Sequence, residues 1–335
     1  MLIQIEDFIR FLKEISIENF EVYVPVKNNQ EQEDNISFQK LSKDTECIVL
    51  DKYRALDPTK LFLYPPVEQL TPLVEHNKKR IICGIKNCDL SAIDVLDSAL
   101  INDDFVDPNY KRWREITYII SADCNEVLPT CHCLMVNKNP YPDTGFDLNL
   151  SRIDDKFLVT VASDKGKELE RLIEQKLSPA MESKDIEKKV ADNRKEMIEK
   201  VREINKKFSF DRKYEPIDEN KARELWADVS ENCIECGGCT NICPTCYCIL
   251  LNDETKSDEF RKIRTWDSCQ YYGYAKVAGG ATPRPDLWER FRHRYQTKFI
   301  RIPNTFDRMG CTGCGRCISV CPGEIDIREV VQKLQ

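Results

Sequence analysis

Apolar residues recur at helical spacing at the start of the chain, separated by charged positions. They are Ile5, Phe8, Ile9, Leu12 and Ile15. Residues spaced by three or four positions share one face of an α-helix. This stretch therefore predicts an amphipathic first helix rather than a secretory signal, which would need a longer uncharged apolar core.

The first half of the chain alternates short apolar, β-branched runs with helical patterns. The predicted strands are Glu46–Leu50, Arg80–Cys83, Ile116–Ala122 and Phe157–Val161, and the predicted helices include Leu90–Leu100 and Lys165–Lys176. Strands that alternate with helices favour a sheet covered by helices. We therefore expect an α+β protein whose residues 1–182 form an α/β domain.

A highly charged stretch follows this domain. Between Ser183 and Phe208 the apolar positions are spaced by three, four or seven residues, which places them in one stripe on a long helix. We interpret residues 183–218 as a connector helix that packs on its own protein, with a helix dedicated to a partner as the alternative. A further helix near Glu219–Val229 is expected to open a second domain, residues 219–335.

Composition narrows the class of protein. A length of 335 residues fits about two domains. The formal net charge of −7 argues against nucleic acid as a partner. The longest unbroken apolar run, Cys246–Leu251, is much shorter than the about 20 residues of a membrane-spanning helix. We therefore expect a cytoplasmic protein without a membrane span.

The 17 cysteines point to metal chemistry. Two runs, Cys233–Pro244 and Cys311–Pro322, have the spacing C-x2-C-x2-C-x3-C-P of bacterial ferredoxins. Three thiolates at this spacing can surround one iron–sulfur cubane, and the glycines within each run permit the tight loop. Zinc is the alternative, but a four-ligand ion has no use for two complete runs.

In such pairs of runs the fourth cysteine binds the other cluster. The first quartet, which we assign to cluster 1, is therefore Cys233, Cys236, Cys239 and Cys321. The second quartet, which we assign to cluster 2, is Cys311, Cys314, Cys317 and Cys243. The long insert between the runs has helical patterns at Asp258–Thr265 and Pro285–Tyr295. We therefore expect a mostly helical, ferredoxin-like dicluster domain.

Nine cysteines remain outside these quartets. Four of them follow predicted strands or lie in a proline-flanked loop, where ligands are easily presented. This N-terminal quartet, Cys88, Cys124, Cys131 and Cys133, predicts a third [4Fe–4S] cluster, with buried core thiols as the alternative. Cys47 and Cys83 lie in apolar runs and are interpreted as core residues. The roles of Cys246, Cys248 and Cys269 stay open.

Other chemical motifs are missing from the sequence. It contains no G-x-G-x-x-G segment after a strand and no P-loop, so we expect no flavin or nucleotide site in this chain. The chain has three histidines, and His132 is interpreted as a loop residue. Arg316 lies inside the second run, and we expect its charge to raise the potential of cluster 2.

Several segments together resemble the hydrogenase/sulfur reductase beta subunits. In the N-terminal half they are Cys83–Leu90, Asp103–Pro108 and Pro129–Cys133, and in the C-terminal half Trp266–Cys269, Gly279–Gly280, Pro283–Pro285, Arg292–Arg294 and the Cys311 run. The chain is also similar to an iron–sulfur subunit of anaerobic sulfite reductase. A third relative is the iron–sulfur subunit that links flavin oxidoreductases to heterodisulfide reductase.

The resemblance implies a non-catalytic electron-transfer subunit in an anaerobe. Its partners would be a catalytic module of the hydrogenase, sulfur or sulfite reductase, or heterodisulfide reductase type and an FAD- and NAD(P)-binding subunit. It also supports the N-terminal quartet as one ligand set. The alternative is an enzyme that reduces a sulfur compound at an N-terminal cysteine or cluster site.

Overall fold

A seven-stranded mixed sheet forms the centre of the N-terminal half in the computed structural model of the chain. The structure describes residues 1–28, 35–74, 77–102, 104–177, 184–208, 223–256 and 259–335. The strands are β1 Leu2–Gln4, β2 Phe20–Lys27, β3 Ile36–Lys40, β4 Val67–Thr71, β5 Lys79–Ile85, β6 Thr117–Ala122, β7 Leu148–Ile153, β8 Lys156–Val161, β9 Ile249–Lys256 and β10 Glu259–Trp266.

The helices lie on both sides of this sheet and around the C-terminal cysteines. They are α1 Ile5–Glu18, α2 Lys60–Leu63, α3 Asn87–Leu100, α4 Pro108–Ile116, α5 Asp164–Lys176, α6 Lys184–Ile204, α7 Arg223–Ser230, α8 Gly238–Asn241, α9 Leu287–Gln296, α10 Ile302–Phe306, α11 Arg316–Ser319 and α12 Ile327–Leu334. A 3-10 turn covers Cys133–Val136, and a π-helical segment covers Thr297–Arg301.

The strand order of the large sheet is β1-β8-β7-β6-β5-β2-β3, with parallel pairing from β2 through β7. Helices α1 and α5 bury their apolar stripes, including Phe8 and Leu169, on one face. Helices α3 and α4 cover the other face with residues such as Leu96 and Trp113. Removing these apolar side chains from water stabilises the layers by about 25 cal/mol per Å². The predicted α+β class is confirmed.

A second sheet of three strands joins distant parts of the sequence in the order β4-β10-β9. The predicted helix over Asp258–Thr265 is therefore wrong, because Glu259–Trp266 is strand β10, while Asp258 lies outside the described residues. Arg264 of β10 is buried and forms ion pairs with Glu68 and Asp107. The helix predicted at Pro285–Tyr295 is present as α9, so the dicluster domain contains both helices and a hairpin.

The other predicted elements are present in part. No strand covers Glu46–Leu50, where the chain forms a single bridge between Val26 and Ile48. The remaining predicted strands and α1, α3 and α5 are present. Residues 183 and 209–218 of the expected connector, and 219–222 of the next helix, lie outside the described residues. The domain boundaries stay a prediction.

The long helix α6 packs on its own protein. Val190 is buried against Ile153 and Leu158 at the end of the large sheet. Farther along, Arg194 binds the carboxylate of Asp123 at 2.8 Å. In the described ranges, with their gaps, no helix is long and apolar enough to span a membrane.

Candidate iron–sulfur centres

The first quartet lines one small cavity between α8, α9 and the loop before α12. Its lining holds all four sulfurs of the quartet together with apolar side chains such as Phe291 and Ile325. The third position of the first run begins a helical turn, since Cys239 lies in α8. Cys321 comes from the other run and accepts a hydrogen bond from the Ile325 N–H at 3.4 Å. The structure thus places Cys321, the fourth cysteine of the second run, beside the first three cysteines of the first run.

The second quartet lines a neighbouring cavity. Its four cysteines lie there with His132, Arg294 and Lys298. Burial raises the pKa of the Cys311 and Cys317 thiols, for Cys317 to about 12. Buried thiols of this kind are protonated when free, and binding to iron removes the proton. Each cavity thus contains the fourth cysteine of the other run, but Cys317 lines both cavities, so the assignment of ligands to each cluster stays a prediction.

The buried, positively charged Arg294 lies between the two cavities and indicates that they hold a negatively charged group. Arg294 is 5% exposed, and its Nε has no hydrogen-bond partner among the described residues. Although burial opposes the charge, the negative charge that Cys239 and Cys317 carry once deprotonated holds the pKa of Arg294 above its usual range. An isolated buried charge is costly unless an opposite charge lies beside it. Thiolate-bound clusters in both quartets would supply that charge.

The spacing of the ligand groups distinguishes a cluster from a single ion. Within the part of the chain that the structure describes, no three His, Cys, Asp or Glu side chains converge closely enough to hold one metal ion. Zinc requires thiolate sulfurs at about 2.3 Å from one centre. The iron and sulfide atoms of a cubane keep its four ligand sulfurs farther apart.

The N-terminal quartet also comes together in space. Cys88 lies in the first turn of α3, where free N–H groups favour negative charge. Cys124 follows β6, and its thiol interacts electrostatically with those of Cys88 and Cys131. Cys133 interacts with Cys131 and Cys124 in the same way. Burial raises the pKa of the Cys124 thiol to about 12. These four thiols form a third candidate ligand set.

Arg316 lies between the second and N-terminal quartets and is already paired. Its guanidinium donates to Asp89 at 2.7 Å, and both side chains are buried. It also donates to the carbonyls of Ala55 and Leu56. Its Nη1 has no hydrogen-bond partner among the described residues, and its charge also interacts with Cys314 and Cys88, so an effect on cluster 2 stays a prediction. Arg294, which sequence reasoning missed, is the cation shared by the first two quartets.

The loop that carries Cys131 and Cys133 rests directly on the second run. The N–H of His132 donates to the Gly313 carbonyl at 2.8 Å, and a Cβ at Gly313 would lie 2.5 Å from the Cys133 Cα. The buried His132 ring places Nε2 at 3.8 Å from the Cys311 sulfur. Burial lowers the pKa of His132 to about 4, so the ring is neutral near pH 7. The position of His132 between two cysteines was the available signal for this contact.

Substitution of Gly315 by Ala is expected to loosen this contact. Gly315 has a φ of +73°, and a Cβ there would overlap the Thr130 carbonyl. The backbone conformation alone costs about 1–3 kcal/mol for a residue with a side chain. Thermal unfolding under anaerobic conditions should show a lower Tm for G315A. Gly273→Ala is the control, because no atom lies within 4 Å of its Cβ position. Equal Tm values for both variants would contradict the expectation.

Five cysteines lie outside the three quartets, two of them as single residues and three around one cavity. Cys83 is fully buried in the large sheet, as expected. The core interpretation of Cys47 is wrong, because Cys47 is exposed and has a φ of +54°. Cys246, Cys248 and Cys269 lie together on a third cavity beside the second quartet.

Comparisons with known proteins agree with this geometry. Residues 232–325 match a family model described as a 4Fe-4S dicluster domain. The chain is also similar to sulfhydrogenase 2 subunit beta of Pyrococcus furiosus, with 30% identity over 98% of this chain and 95% of that protein. The chain belongs to the family of sulfhydrogenase beta subunits. The family expected from the sequence is thereby confirmed.

A second relative shares a smaller part of the chain. The beta subunit of F420-dependent formate dehydrogenase from Methanocaldococcus jannaschii is 22% identical over 118 residues, which are 35% of this chain and 24% of that protein. No solved structure matches the chain. As a sulfhydrogenase-type beta subunit, the protein is an iron–sulfur, electron-transfer component of a multi-subunit oxidoreductase.

Proposed function

We propose that this protein relays electrons between a catalytic module and an FAD- and NAD(P)-binding subunit, in the cytoplasm of an anaerobe. The module would be of the hydrogenase, sulfur or sulfite reductase, or heterodisulfide reductase type. The observation that carries the proposal is the serial arrangement of the three quartets. Arg294 lies beside both the first and the second quartet, and the Gly313–His132 contact joins the second to the N-terminal quartet.

In this proposal each quartet holds one [4Fe–4S] cluster, and no flavin or nucleotide binds to this chain. Such a cluster, when bound, takes up and gives off one electron at a time. The chain's own residues hold the centres rigidly and exclude water. Arg54 donates to the Cys314 carbonyl at 2.8 Å, and Lys86 donates to the Leu50 carbonyl at 2.9 Å, both from buried positions.

The first quartet is the one nearest to solvent. Cys236 is exposed, Ile234 beside it in the run exposes 65% of its surface, and the exposed Tyr271 ring lies against Gly237. Exposed apolar patches of this kind are typical of protein interfaces. We therefore place the exchange of electrons with a partner protein at the first quartet.

The alternative of a sulfur reductase at the N-terminal cysteines has less support. Cys133 is 8% exposed and its backbone is closed off by Gly313. Cys88 is also buried, whereas Cys124 and Cys131 are half-buried, so a substrate would reach at most these two thiols.

The relay can be tested with the flavoprotein partner. In the purified complex, NAD(P)H should bleach the visible absorbance of the clusters under anaerobic conditions. The isolated beta subunit should be bleached by dithionite and not by NAD(P)H. Rapid bleaching of the isolated chain by NAD(P)H would contradict the proposal, because it would require a nucleotide site in this chain.

Replacement of Arg294 by Met should lower the potentials of clusters 1 and 2. A nearby cation favours the reduced, more negative form of a cluster. We expect a decrease of about 60 mV, which is a tenfold change for one electron. Redox titration followed by electron paramagnetic resonance measures it. Arg292→Met is the control, since Arg292 lies over the Trp288 ring. The conservative variant R294K should have cluster potentials close to those of the wild type. Equal potentials in R294M and R292M would exclude this role.

A further inference from the structure

A third cavity lies beside the second quartet and contains three cysteines without an assigned role. Cys246, Cys248 and Cys269 line it together with Tyr274 and Lys298. Cys246 forms a hydrogen bond with Cys243 of the second quartet. The other two cysteines are separate from that contact and form a pair of their own.

The Cys248 and Cys269 side chains touch each other. The two sulfurs share a hydrogen bond, and the Tyr274 hydroxyl lies 3.9 Å from the Cys248 sulfur. In the first quartet, by contrast, Cys233 and Cys239 interact with the other thiols through their charges. Ligand sulfurs of a cubane are held apart, whereas a disulfide requires them to approach to about 2.05 Å. The two thiols are therefore close neighbours, as a disulfide between them requires.

The two thiols differ in access and in acidity. Cys248 is half-buried and faces the cavity, while Cys269 is 5% exposed behind it. The hydrogen bonds from Cys269 and Tyr274 lower the pKa of Cys248 to about 6. The same pairing raises the pKa of Cys269. An accessible thiolate beside a buried thiol is the arrangement of an attacking and a resolving cysteine.

The charges around the pair select the type of ligand. Arg294 and Lys298 line the cavity, but both are buried and their charges face cysteines of the first two quartets. Arg301 also lines it and is exposed, so its charge is available to a ligand. Among the described residues that line it, none is Asp or Glu. His293 accepts a hydrogen bond from Arg301 at 2.8 Å, and burial lowers the pKa of this histidine to about 4, so it is a neutral neighbour. The cavity therefore favours an anionic molecule.

We propose that Cys248 and Cys269 form a redox-active dithiol that reacts with an anionic, low-molecular-weight disulfide. The Cys248 thiolate attacks one sulfur of the disulfide, which breaks the S–S bond and releases one thiolate. The Cys269 thiol then loses its proton and attacks the Cys248 sulfur, which releases the second thiolate. Two electrons pass from the protein dithiol to the small disulfide, and the products are two small thiols and a Cys248–Cys269 disulfide. This chemistry goes beyond the relay and does not rest on it.

The experiment uses the anaerobically purified protein and two small disulfides of opposite charge. Dithiodipropionate carries two carboxylates and cystamine carries two ammonium groups. Peptide mass spectrometry should find a Cys248–Cys269 cross-link after treatment with dithiodipropionate. In Cys269→Ser the thiopropionate group should remain on Cys248. In Cys248→Ser both the cross-link and the adduct should be lost.

A control for the charge preference and a measurement of the iron content complete the test. For each disulfide the rate at Cys248 is divided by the rate in Arg301→Met, which removes the exposed charge that lines the cavity. This ratio should be larger for dithiodipropionate than for cystamine, and equal ratios would exclude the anionic ligand. C248S and C269S should keep the iron and labile sulfide of the wild type. A loss of about four iron atoms would show that these cysteines bind a cluster and would overturn the proposal, as would a cross-link from Cys248 to Cys246.

Discussion

Substitution of Cys88 by Ser is expected to lower the iron content from about 12 to about 8 atoms per chain, because one of the three proposed [4Fe–4S] clusters loses a ligand. Cys88 lies in the first turn of α3, and its thiol is buried close to those of Cys124 and Cys314. A hydroxyl in this place is a poor ligand for iron compared with a thiolate. Iron and acid-labile sulfide per chain are the measurements.

A neighbouring cysteine provides the matched control for this substitution. Cys83 is also fully buried, five positions earlier in the sequence, but lies in β5 among apolar residues of the sheet. C83S should therefore keep about 12 iron atoms per chain even if it lowers the Tm. About 8 iron atoms in the wild type, or an unchanged count in C88S, would exclude a cluster in the N-terminal quartet.

The dicluster domain could be predicted from the sequence because the spacing within each ferredoxin run is local. The spacing of each ferredoxin run fixes where three thiols can point, and the proline after the fourth cysteine ends the run. The N-terminal quartet needed a second argument, that positions just after strands or in loops present ligands easily. Cys88 and Cys124 follow the parallel strands β5 and β6, so this argument applied to them.

The errors arose where distant contacts decide the structure. In the segment predicted as a helix, Phe260 and Ile263 are three positions apart, but the chain pairs as a strand with β4 and β9. Arg264 forms its ion pairs with residues far away in sequence. Cys47 has apolar neighbours, yet a positive φ turns the chain there and exposes the thiol.

The partners and the burial of the charged residues near the quartets could not be predicted from the sequence either. Arg316 lies inside the second run, which suggested that its charge acts on cluster 2. Its partner Asp89 is 227 positions away and could not be identified from spacing. Arg294 lies in a basic stretch typical of an exposed helix face, although it is buried between two quartets. Sequence patterns identify ligands more readily than the charges that surround them.

Substitution of Cys321 should make the cysteines of the first run reactive, and substitution of Cys243 should do so for the second run. In the structure Cys321 lines the cavity of the first run and Cys243 that of the second. A cysteine bound to iron is protected from alkylation, because its thiolate is already engaged. Cys321→Ser should therefore expose Cys233 and Cys239 to anaerobic iodoacetamide, while Cys311 stays protected.

Cys243→Ser should give the reverse pattern, with Cys311 and Cys317 modified and Cys233 protected, as read by peptide mass spectrometry. Cys246→Ser is the matched control, since its thiol touches Cys243 but lies outside both quartets. Both runs should stay protected in that variant. If each substitution instead made the other cysteines of its own run reactive, each run would supply all four ligands of its own cluster. The two clusters would then be independent, and the close packing of α8 against α11 would have another cause.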